Sequence, residues 1–539
     1  MQNPSVPADG RPADETSGAA QAASEIDEYL RLRDDRRRLL PRAALTGALA
    51  GLLAVAFRAA LAGADALRNG LIAYGHRWPA FGWLLPVVFG AVCAALSVWM
   101  VRRVAPEAAG SGIPHLEAAL HRFREMKWRR VLPVKFAGGL LALGSGMALG
   151  REGPTVQMGG AVGAAVADGL KSPTRERLTL MAAGAGAGLA AAFNAPLSGL
   201  VFVLEEVQKD FRQAVFGAAF VAAAVANIMA RSASGQLPVF TVPSYAVPSL
   251  NALPIFAVLG LLCGLLGVAF NRGLIGSLNL AAKIPPRFKV IAAGGVGAVA
   301  GLTAWYLPLA AGAGHGLTNE VLAGRMALSV IPLWFAGRFV FTLASYSTGA
   351  PGGIFAPLLA LGALIGLAVG QTAHHFAPHV APIAEVFAVV GMAAYFTAIV
   401  RAPLTGIVLI LEMTGDYAQM LPLLTACFCA YTVAEGLGDL PIYERLLARD
   451  LRQSGDHPPA SEPIAVEREV QPGSSFAGKT VRELGLPTGV ILIRCREGNR
   501  EWIPNADTRI EPGIRLTALI APEATDGLNA LWHGCEAGH

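Results

Sequence analysis

Residues 195–205 read APLSGLVFVLE and residues 402–412 read APLTGIVLILE, and the two stretches are identical at seven of eleven positions without a gap. Three further positions recur at a similar distance along the chain: Pro154, Gly159 and Gly163 correspond to Pro357, Gly362 and Gly366. Chance agreement is improbable for an ungapped match of this kind, even in a composition rich in Ala, Gly, Leu and Pro. The sequence therefore predicts two related halves, at about 41–235 and 250–450, and leaves open whether the second is inverted.

Both halves lie in a stretch that is poor in charge. The chain has 539 residues, of which 54% are hydrophobic and 15% charged, whereas a soluble protein carries about 25% charged residues. Residues 1–42 and 444–539 hold 40 of the 81 charged side chains, although they make up only 138 residues. A water-soluble core needs a polar surface to cover it. The central segment is therefore predicted to lie in a lipid bilayer.

Apolar runs follow one another from about residue 43 to residue 438, and several are shorter than the roughly 20 residues that cross a bilayer. Others are broken by Gly and Pro, at 150–154, 195–196, 349–357 and 402–403. Backbone that leaves the helix at membrane depth must line a cavity or be buried in protein. We therefore expect an all-α polytopic membrane protein with broken, re-entrant helices, whose functional site lies at the breaks.

The two ends of the chain differ from the centre. Residues 1–40 lack hydrophobic periodicity and a signal-peptide core, so they are predicted to form a disordered tail, which the arginines before Ala43 place in the cytoplasm. After a linker at 451–464, short alternating runs predict a small α+β domain at 465–522, in which SSFAGKTVRELGLPTG at 474–489 is an N-capped short helix between strands. Residues 523–539 are expected to be a C-terminal tail.

Three glycine-bounded stretches end in proline directly before an apolar helix. They are GSGIP at 110–114, GREGP at 150–154 and GGIFAP at 352–357. Each pattern is typical of a helix N-terminus, whose free N–H groups and positive dipole end can replace the water around an anion. Each stretch alone is a weak signal. Together they predict an anion site near the middle of the membrane.

Several carboxylates lie in or beside these stretches. Glu152, in GREGP, could occupy an anion site when ionised and leave it when protonated; the alternative is an acid that only complements the helix dipole. Glu206 follows Glu205 at the end of the repeat, where the second half has Glu412-Met413. Glu206 is therefore a carboxylate gained in one half only, and a solvated charge at a helix end is one interpretation of it. Glu205 and Glu412 are expected to be structural, each bonding backbone N–H groups of a nearby loop.

Other charged and polar residues carry weaker signals. Arg151 could raise the local potential for anions or pair structurally with a carboxylate, and Arg401 is left open in the same way. The cluster at 374–379 (HHFAPH) is more typical of a solvated helix end than of a metal site, and the six cysteines contain no CxxC pair. The sequence contains no long basic tract, no HExxH pair and no Ser/His pairing within the apolar runs. We therefore expect no nucleic acid, metal, cofactor or catalytic residue, and no enzyme.

The motifs GSGIP, GREGP and GGIFAP, in this order, resemble the filter signatures of the CLC chloride channel and transporter family (voltage-gated chloride channels). The resemblance covers about 40–450 and extends to FNAPLSGLVFVLEE at 193–206 and to Tyr443 in PIYERLLARD. It implies a CLC-type inverted-repeat helical bundle, assembled as a homodimer with one anion pathway in each subunit.

The resemblance also implies roles for individual residues. Chloride would be bound by the hydroxyls of Ser111 and Tyr443 and by the backbone N–H groups of Ile354 and Phe355. Glu152 would be the gate and proton acceptor, and Glu206 would transfer protons internally. The backbone of the filter motifs would be supplied by Gly110, Gly112, Ile113, Pro114, Gly150, Arg151, Gly153, Pro154 and Gly353.

The stretch 465–521 resembles the C-terminal module of the TrkA-type regulators of potassium transport, which leaves an unidentified small ligand as a possible partner.

The function that the resemblance to the CLC family implies is proton-coupled chloride antiport, with chloride, protons and membrane lipid as partners. The alternatives are a passive gated chloride channel with the same filter and a ligand-sensing membrane protein that acts through its tail. The expected location is a bacterial inner (plasma) membrane, multi-pass, with both termini in the cytoplasm.

Overall fold

The computed structural model of the chain describes residues 13–536, apart from 79, 210–212, 237, 241, 244, 246–248, 455–463, 499 and 522–523. The chain divides into two compact units between Arg449 and Asp450. The first unit is helical, and the second contains a small sheet.

The helices of the first unit, in chain order, are α1 (Ala13–Gly75), α2 (Leu84–Val104), α3 (Ile113–Leu120), α4 (Trp128–Gly144), α5 (Glu152–Gly169), α6 (Thr174–Phe193), α7 (Pro196–Phe202), α8 (Gln213–Ser234), α9 (Leu253–Ala282), α10 (Lys289–Tyr306), α11 (His315–Leu322), α12 (Ile331–Ser347), α13 (Phe355–Phe376), α14 (Glu385–Val400), α15 (Pro403–Thr414), α16 (Met420–Gly436) and α17 (Ile442–Ser454). A π-helical turn, Val203–Val207, follows α7. Within the described residues, seven helices are long and apolar enough to cross a membrane. The predicted all-α polytopic fold with short, broken helices is confirmed.

Helices α1 to α8 of the first half correspond in order to α9 to α16 of the second half. The equivalent helices α2 and α10 pack against each other in opposite directions, since Gly90 faces Gly297 while Gly301 faces Pro86. Glycine at these contacts lets the two backbones approach closely. Because equivalent helices are antiparallel, the second half is an inverted copy of the first.

Two carboxylates link the halves reciprocally. Glu412 at the end of α15 accepts hydrogen bonds from the backbone N–H groups of Leu197 (3.1 Å) and Ser198 (2.7 Å) at the start of α7. Glu205, after α7, accepts from the N–H groups of Leu404 (3.0 Å) and Thr405 (2.7 Å) at the start of α15. Each carboxylate thus satisfies helix N–H groups that lack a partner within their own helix. The structural role predicted for both residues is confirmed.

The predicted disorder over 1–40 is wrong from Ala13 onward, because α1 begins there. The segment before the first apolar run is rich in Ala, Glu, Leu and Arg, which have favourable helix propensities. It also continues directly into a long apolar helix, so that no separate helix nucleus has to form. Residues 1–12 lie outside the described part of the chain.

Within its described residues, the second unit contains a four-stranded antiparallel sheet in the order β1-β4-β2-β3, one α-helix and a short 3-10 helix, Val481–Leu484, which Thr480 caps as predicted. The elements are β1 (Ile464–Glu469), β2 (Val490–Glu497), β3 (Arg500–Trp502), β4 (Arg515–Ile520) and α18 (Thr525–Cys535). Their core includes Leu492, Leu516 and Leu531. This confirms the predicted α+β domain.

The expected tail at 523–539 is wrong for Thr525–Cys535, which form α18. Leu531 and Cys535 are fully buried, and their i, i+4 spacing puts both on the face that packs on the core. Of the predicted linker at 451–464, α17 continues to Ser454 and β1 begins at Ile464, while 455–463 lie outside the described residues.

Candidate functional site

The N-terminal ends of α3, α5 and α13 meet inside the helical unit. The N–H of Gly352 donates to the carbonyl of Gly110 over 2.9 Å, and Gly150 and Gly353 exchange two hydrogen bonds of 2.7 Å. A Cβ atom on Gly153 would lie only 2.8 Å from the Cβ of Ser111. The structure therefore brings the three glycine-bounded stretches together, although they come from both halves of the sequence.

Ser111 lies in the turn before α3 and is fully buried. The flanking residues Gly110 (φ +58°) and Gly112 (φ +81°) both adopt left-handed backbone that favours glycine. The Ser111 Oγ accepts a long hydrogen bond from the N–H of Ile113 (3.4 Å), and the hydroxyl of Tyr346 is 3.5 Å away. The turn, completed by Pro114 in the first turn of α3, thus presents a hydroxyl at a helix N-terminus.

Ile354 and Phe355 begin α13, and both are fully buried. The ring of Phe355 stacks on that of Tyr443, with a centroid separation of 6.4 Å. The Tyr443 hydroxyl is buried and makes no hydrogen bond within the described residues. The ionisable side chains near enough to act on this hydroxyl through their charge include Tyr346, Glu206 and Glu152. The phenol and the first N–H groups of α13 therefore remain available to a ligand.

Glu152 is the first residue of α5 and is completely buried. Both carboxylate oxygens lack a hydrogen-bond partner within the described residues. The carboxylate lies beside the backbone N–H of Ala356, in the first turn of α13. A Cβ atom on Gly150 would collide with it. Glu152 thus projects into the space where the ends of α5 and α13, with Gly153 and Pro154 behind it, expose their amides.

Glu206 lies in the π-helical turn after α7 and is 3% exposed. This burial argues against the solvated helix-end alternative. Glu117 on α3, equally buried, is its electrostatic neighbour. Lys209 is close to Glu206 and forms a partly exposed ion pair with Glu444. The second buried carboxylate is therefore not isolated, since it belongs to a group of acids that extends toward the surface.

The two undecided arginines have different surroundings. Arg151 donates one hydrogen bond to the carbonyl of Ala192 (3.3 Å), while its Nε is buried without a partner in the described structure. Arg401 donates to the carbonyl of Asp439 (3.0 Å) and lies 3.8 Å from the carboxylate of Glu435. The contacts of Arg401 favour the structural alternative.

Sequence reasoning missed Glu117 and Asp439, and it also missed two residues beside Ser111. Lys135 on α4 is fully buried, and its Nζ donates to the carbonyls of Ala108 (3.0 Å) and Gly110 (2.8 Å), directly before Ser111. It was detectable as a lone charge inside the apolar run 133–149. Tyr346, beside Ser111, follows no sequence pattern that separates it from other aromatic residues in membrane helices.

Tyr443 is placed by a buried acid at the start of α17. The carboxylate of Asp439 accepts hydrogen bonds from Arg445 (2.6 Å) and Asn271 (2.8 Å). The side chain of Asp439 is 0% exposed. Asp439 therefore fixes the beginning of α17 against α9, and with it the phenol of Tyr443.

Comparisons with known proteins agree with this geometry. The sequence model of voltage gated chloride channels matches residues 93–435, and that of the TrkA-C domain matches 465–531. The chain is 44% identical to the H(+)/Cl(-) exchange transporter ClcA of Vibrio parahaemolyticus over 422 residues, which are 77% of this chain and 90% of that protein. The corresponding transporter of Cronobacter sakazakii is also 44% identical, over 421 residues, 77% of this chain and 90% of that protein.

A crystal structure of a slow cyanobacterial Cl-/H+ antiporter is similar to this chain with a TM-score of 0.76 and 36% identity, covering 78% of this chain and 99% of that one. The family match, the identity to bacterial relatives and the inverted helical halves point to one conclusion. The protein is a multi-pass membrane protein that belongs to the voltage gated chloride channel family.

Proposed function

We propose that the protein is a proton-coupled chloride antiporter. The observation that carries the proposal is Glu152, a fully buried carboxylate with two unpartnered oxygens at the meeting point of two helix N-termini. A transporter that exchanged chloride for protons would need one group that both ions can reach. The relatives named above as H(+)/Cl(-) exchange transporters support the same assignment.

Chloride binds between the hydroxyls of Ser111 and Tyr443 and the backbone N–H groups of Ile354 and Phe355. All four are neutral donors, and Lys135, the buried cation behind the Ser111 turn, is already bonded to two carbonyl oxygens. Dipoles bind an anion and still release it, whereas a direct ion pair would hold it too tightly for turnover. The site is therefore suited to transport rather than to storage.

Glu152 exchanges places with the ion. When ionised, its carboxylate competes with chloride for the amides at the ends of α5 and α13. When protonated, it loses that attraction and leaves the space to the anion. Each cycle of chloride passage is thereby linked to the arrival or departure of a proton at one carboxyl group.

Glu206 supplies protons from the other side of Tyr443. Its buried carboxylate and that of Glu117 are neighbours, and the Lys209–Glu444 pair lies between them and the surface. Carboxyl groups so arranged can receive a proton and pass it on. A group of carboxylates repels chloride, because both carry negative charge. The proton route and the chloride route therefore separate here.

The setting of this activity is also part of the proposal. We place the chain in a bacterial inner membrane as a homodimer, with the arginine-rich N-terminus and the sheet-containing unit in the cytoplasm. The TrkA-C match at 465–531 supports a role for that unit as a small-ligand sensor or as a dimer contact. Crosslinking in native membranes would test the dimer, and protease access from one face would test the orientation.

Proton movement in liposomes tests the transport proposal. Purified protein under a chloride gradient is compared with Glu152→Ala and Glu206→Gln, and with Glu125→Gln as a control at an exposed acid. We expect chloride flow to drive protons uphill in the wild type and the control, and both site variants to lose proton flow while chloride still moves. Chloride movement without any proton movement in the wild type would instead show a passive channel.

A further inference from the structure

The second half contains a counterpart of the Ser111 turn. Gly312 (φ +70°) and Gly314 (φ +98°) adopt the same left-handed backbone as the two glycines around Ser111. Helix α11 begins directly after Gly314, just as α3 begins after Gly112, and both helices are eight residues long. The inverted repeat therefore builds a second helix N-terminus of the same form, with Ala313 where the first has serine.

The two turns are held by equivalent buried cations. Lys135 on α4 donates to the carbonyl of Ala108 (3.0 Å), and Arg338 on the equivalent helix α12 donates through Nη1 to the carbonyl of Ala310 (2.9 Å). Lys135 is 0% and Arg338 2% exposed. The correspondence thus includes the charge that supports each turn.

The two cations differ in what they leave unbonded. Lys135 donates to two carbonyls, whereas the Nε and Nη2 of Arg338 are buried and make no hydrogen bond within the described residues. Nη2 lies 3.0 Å from where a Cβ atom on Gly314 would be. Arg338 therefore directs unpaired donors at the N-cap of α11. A buried donor without a partner is unfavourable, and an anion at the helix N-terminus would satisfy it.

The surroundings of this turn are positive. The ring of His315, the first residue of α11, has Arg151, Arg338 and Arg58 as its charged neighbours. The acids near Arg151 are Glu152 itself and Asp65, and Asp65 is bonded to Arg68 over 2.8 Å. Gly312, Ala313 and His315 are partly exposed, so water screens the charges and a bound ion could leave.

We propose that Arg338, His315 and the first N–H groups of α11 bind a second chloride ion, at a site related to the Ser111 site by the two-fold relation between the halves. This inference rests on the proposed function, because it places the new site on the Arg151 side of Glu152. The second site is therefore occupied before chloride enters the space of the Glu152 carboxylate, or after chloride has been released from it.

Bromide is the probe for the first test, because its anomalous scattering locates it in crystals of the full chain. Two bromide peaks, one at Ser111 and one at the N-terminus of α11, are expected, and Arg338→Lys should remove only the second. Bromide at Ser111 alone would overturn this inference and leave the antiporter proposal standing. Bromide at neither place would overturn the anion site of the proposed function, and this inference with it.

Chloride dependence of transport gives a second readout. In Arg338→Lys the amine can still reach the carbonyl of Ala310, but the unpaired Nε and Nη2 donors are lost. The chloride concentration for half-maximal flux, measured from each side of a planar bilayer, should rise about tenfold on one side only, which corresponds to ~1.4 kcal/mol. Arg325→Gln, which removes an exposed arginine after the other end of α11, should change neither side. An equal rise on both sides, or none, would contradict the proposal.

Discussion

Gly150 and Gly353 donate backbone hydrogen bonds to each other's carbonyl oxygens, both over 2.7 Å. They form a single antiparallel bridge within a helical unit and occupy equivalent places in the two halves. The bridge fixes the start of α5, which carries Glu152, against the start of α13, which carries Ile354 and Phe355. The carboxylate and the amides for which it competes with chloride are therefore positioned by one shared piece of backbone.

Gly353→Ala should disrupt this bridge. A Cβ atom at this position would lie 3.0 Å from the backbone nitrogen of Gly153 and 3.3 Å from its Cα, and neither atom can move without shifting α5. We expect a loss of about 1–3 kcal/mol of stability, the usual effect of overpacking, seen as a lower thermal midpoint in detergent, together with slower chloride flux. Gly295→Ala on α10, where a Cβ meets nothing within 4 Å, is the control. A midpoint equal to that of the control would show that the contact relaxes freely.

Lys135→Met should loosen the turn that carries Ser111. The methionine fills similar space, but the carbonyls of Ala108 and Gly110 lose their charged donor. We expect chloride affinity, measured by isothermal titration calorimetry, to fall by about tenfold, because hydrogen bonds to charged groups contribute about 1.5–3 kcal/mol. Lys283→Met, at an exposed lysine, should bind chloride as the wild type does. Unchanged affinity in Lys135→Met would mean that the turn holds its shape without the ammonium group.

Asp439→Asn should displace Tyr443 without touching it. The substitution preserves volume but leaves Arg445 and Arg401 facing a neutral group in a buried place. Removing one partner of a buried ion pair costs about 3–5 kcal/mol, so we expect a lower thermal midpoint and weaker chloride binding. If the folded variant still binds chloride at full strength, the position of α17 does not affect the anion site. Glu320→Gln, which neutralises a carboxylate paired with exposed Arg325, controls for the loss of charge.

The sheet-containing unit offers a prediction about pH. The backbone N–H and hydroxyl of Thr480 both donate to Glu483 over 2.9 Å and hold the pKa of this carboxyl below its ordinary value. Because the folded state lowers this pKa, the ionised carboxylate stabilises the turn above the unfolded pKa, and the effect is lost as the pH falls through the folded one.

Hydrogen exchange of the full chain checks this prediction. Glu483→Ala should expose the Thr480 amide at neutral pH, and the difference from wild type should vanish once the wild-type carboxyl is protonated. Glu511→Ala, at another exposed acid of the same unit, should leave the Thr480 amide protected. A difference that persisted at acidic pH would assign the effect to packing rather than to charge.

The sequence predicted those parts of the fold that local sequence patterns determine. The repeat at 195–205 and 402–412 marked the two halves, and the carboxylates that end it, Glu205 and Glu412, were predicted to bond backbone N–H groups, as they do. The three glycine-bounded stretches were predicted to form helix N-termini, and α3, α5 and α13 begin there. These predictions succeed because glycine, proline and periodicity determine local backbone directly.

Contacts between distant segments were not predictable in the same way. The counterpart of the Ser111 turn shares only glycines with it, so Gly312 and Gly314 gave no detectable repeat in the sequence. The prediction of a tail at 523–539 does not account for the helical spacing of Leu531 and Cys535. The prediction of disorder at 1–40 depends on the lack of hydrophobic periodicity there, which does not oppose a helix when the helix continues into the membrane.

The reciprocal bonds of Glu205 and Glu412 bear on how the chain can be synthesised. The N–H groups of Leu197 and Ser198, in the first turn of α7, donate to Glu412, more than 200 residues later in the chain. The first half, once it has left the ribosome, therefore lacks this acceptor until nearly the whole second half has been inserted. Neither half is a self-sufficient folding unit, so truncation within α9 to α15 should yield a protein that is degraded, whereas two separately expressed halves could complement each other.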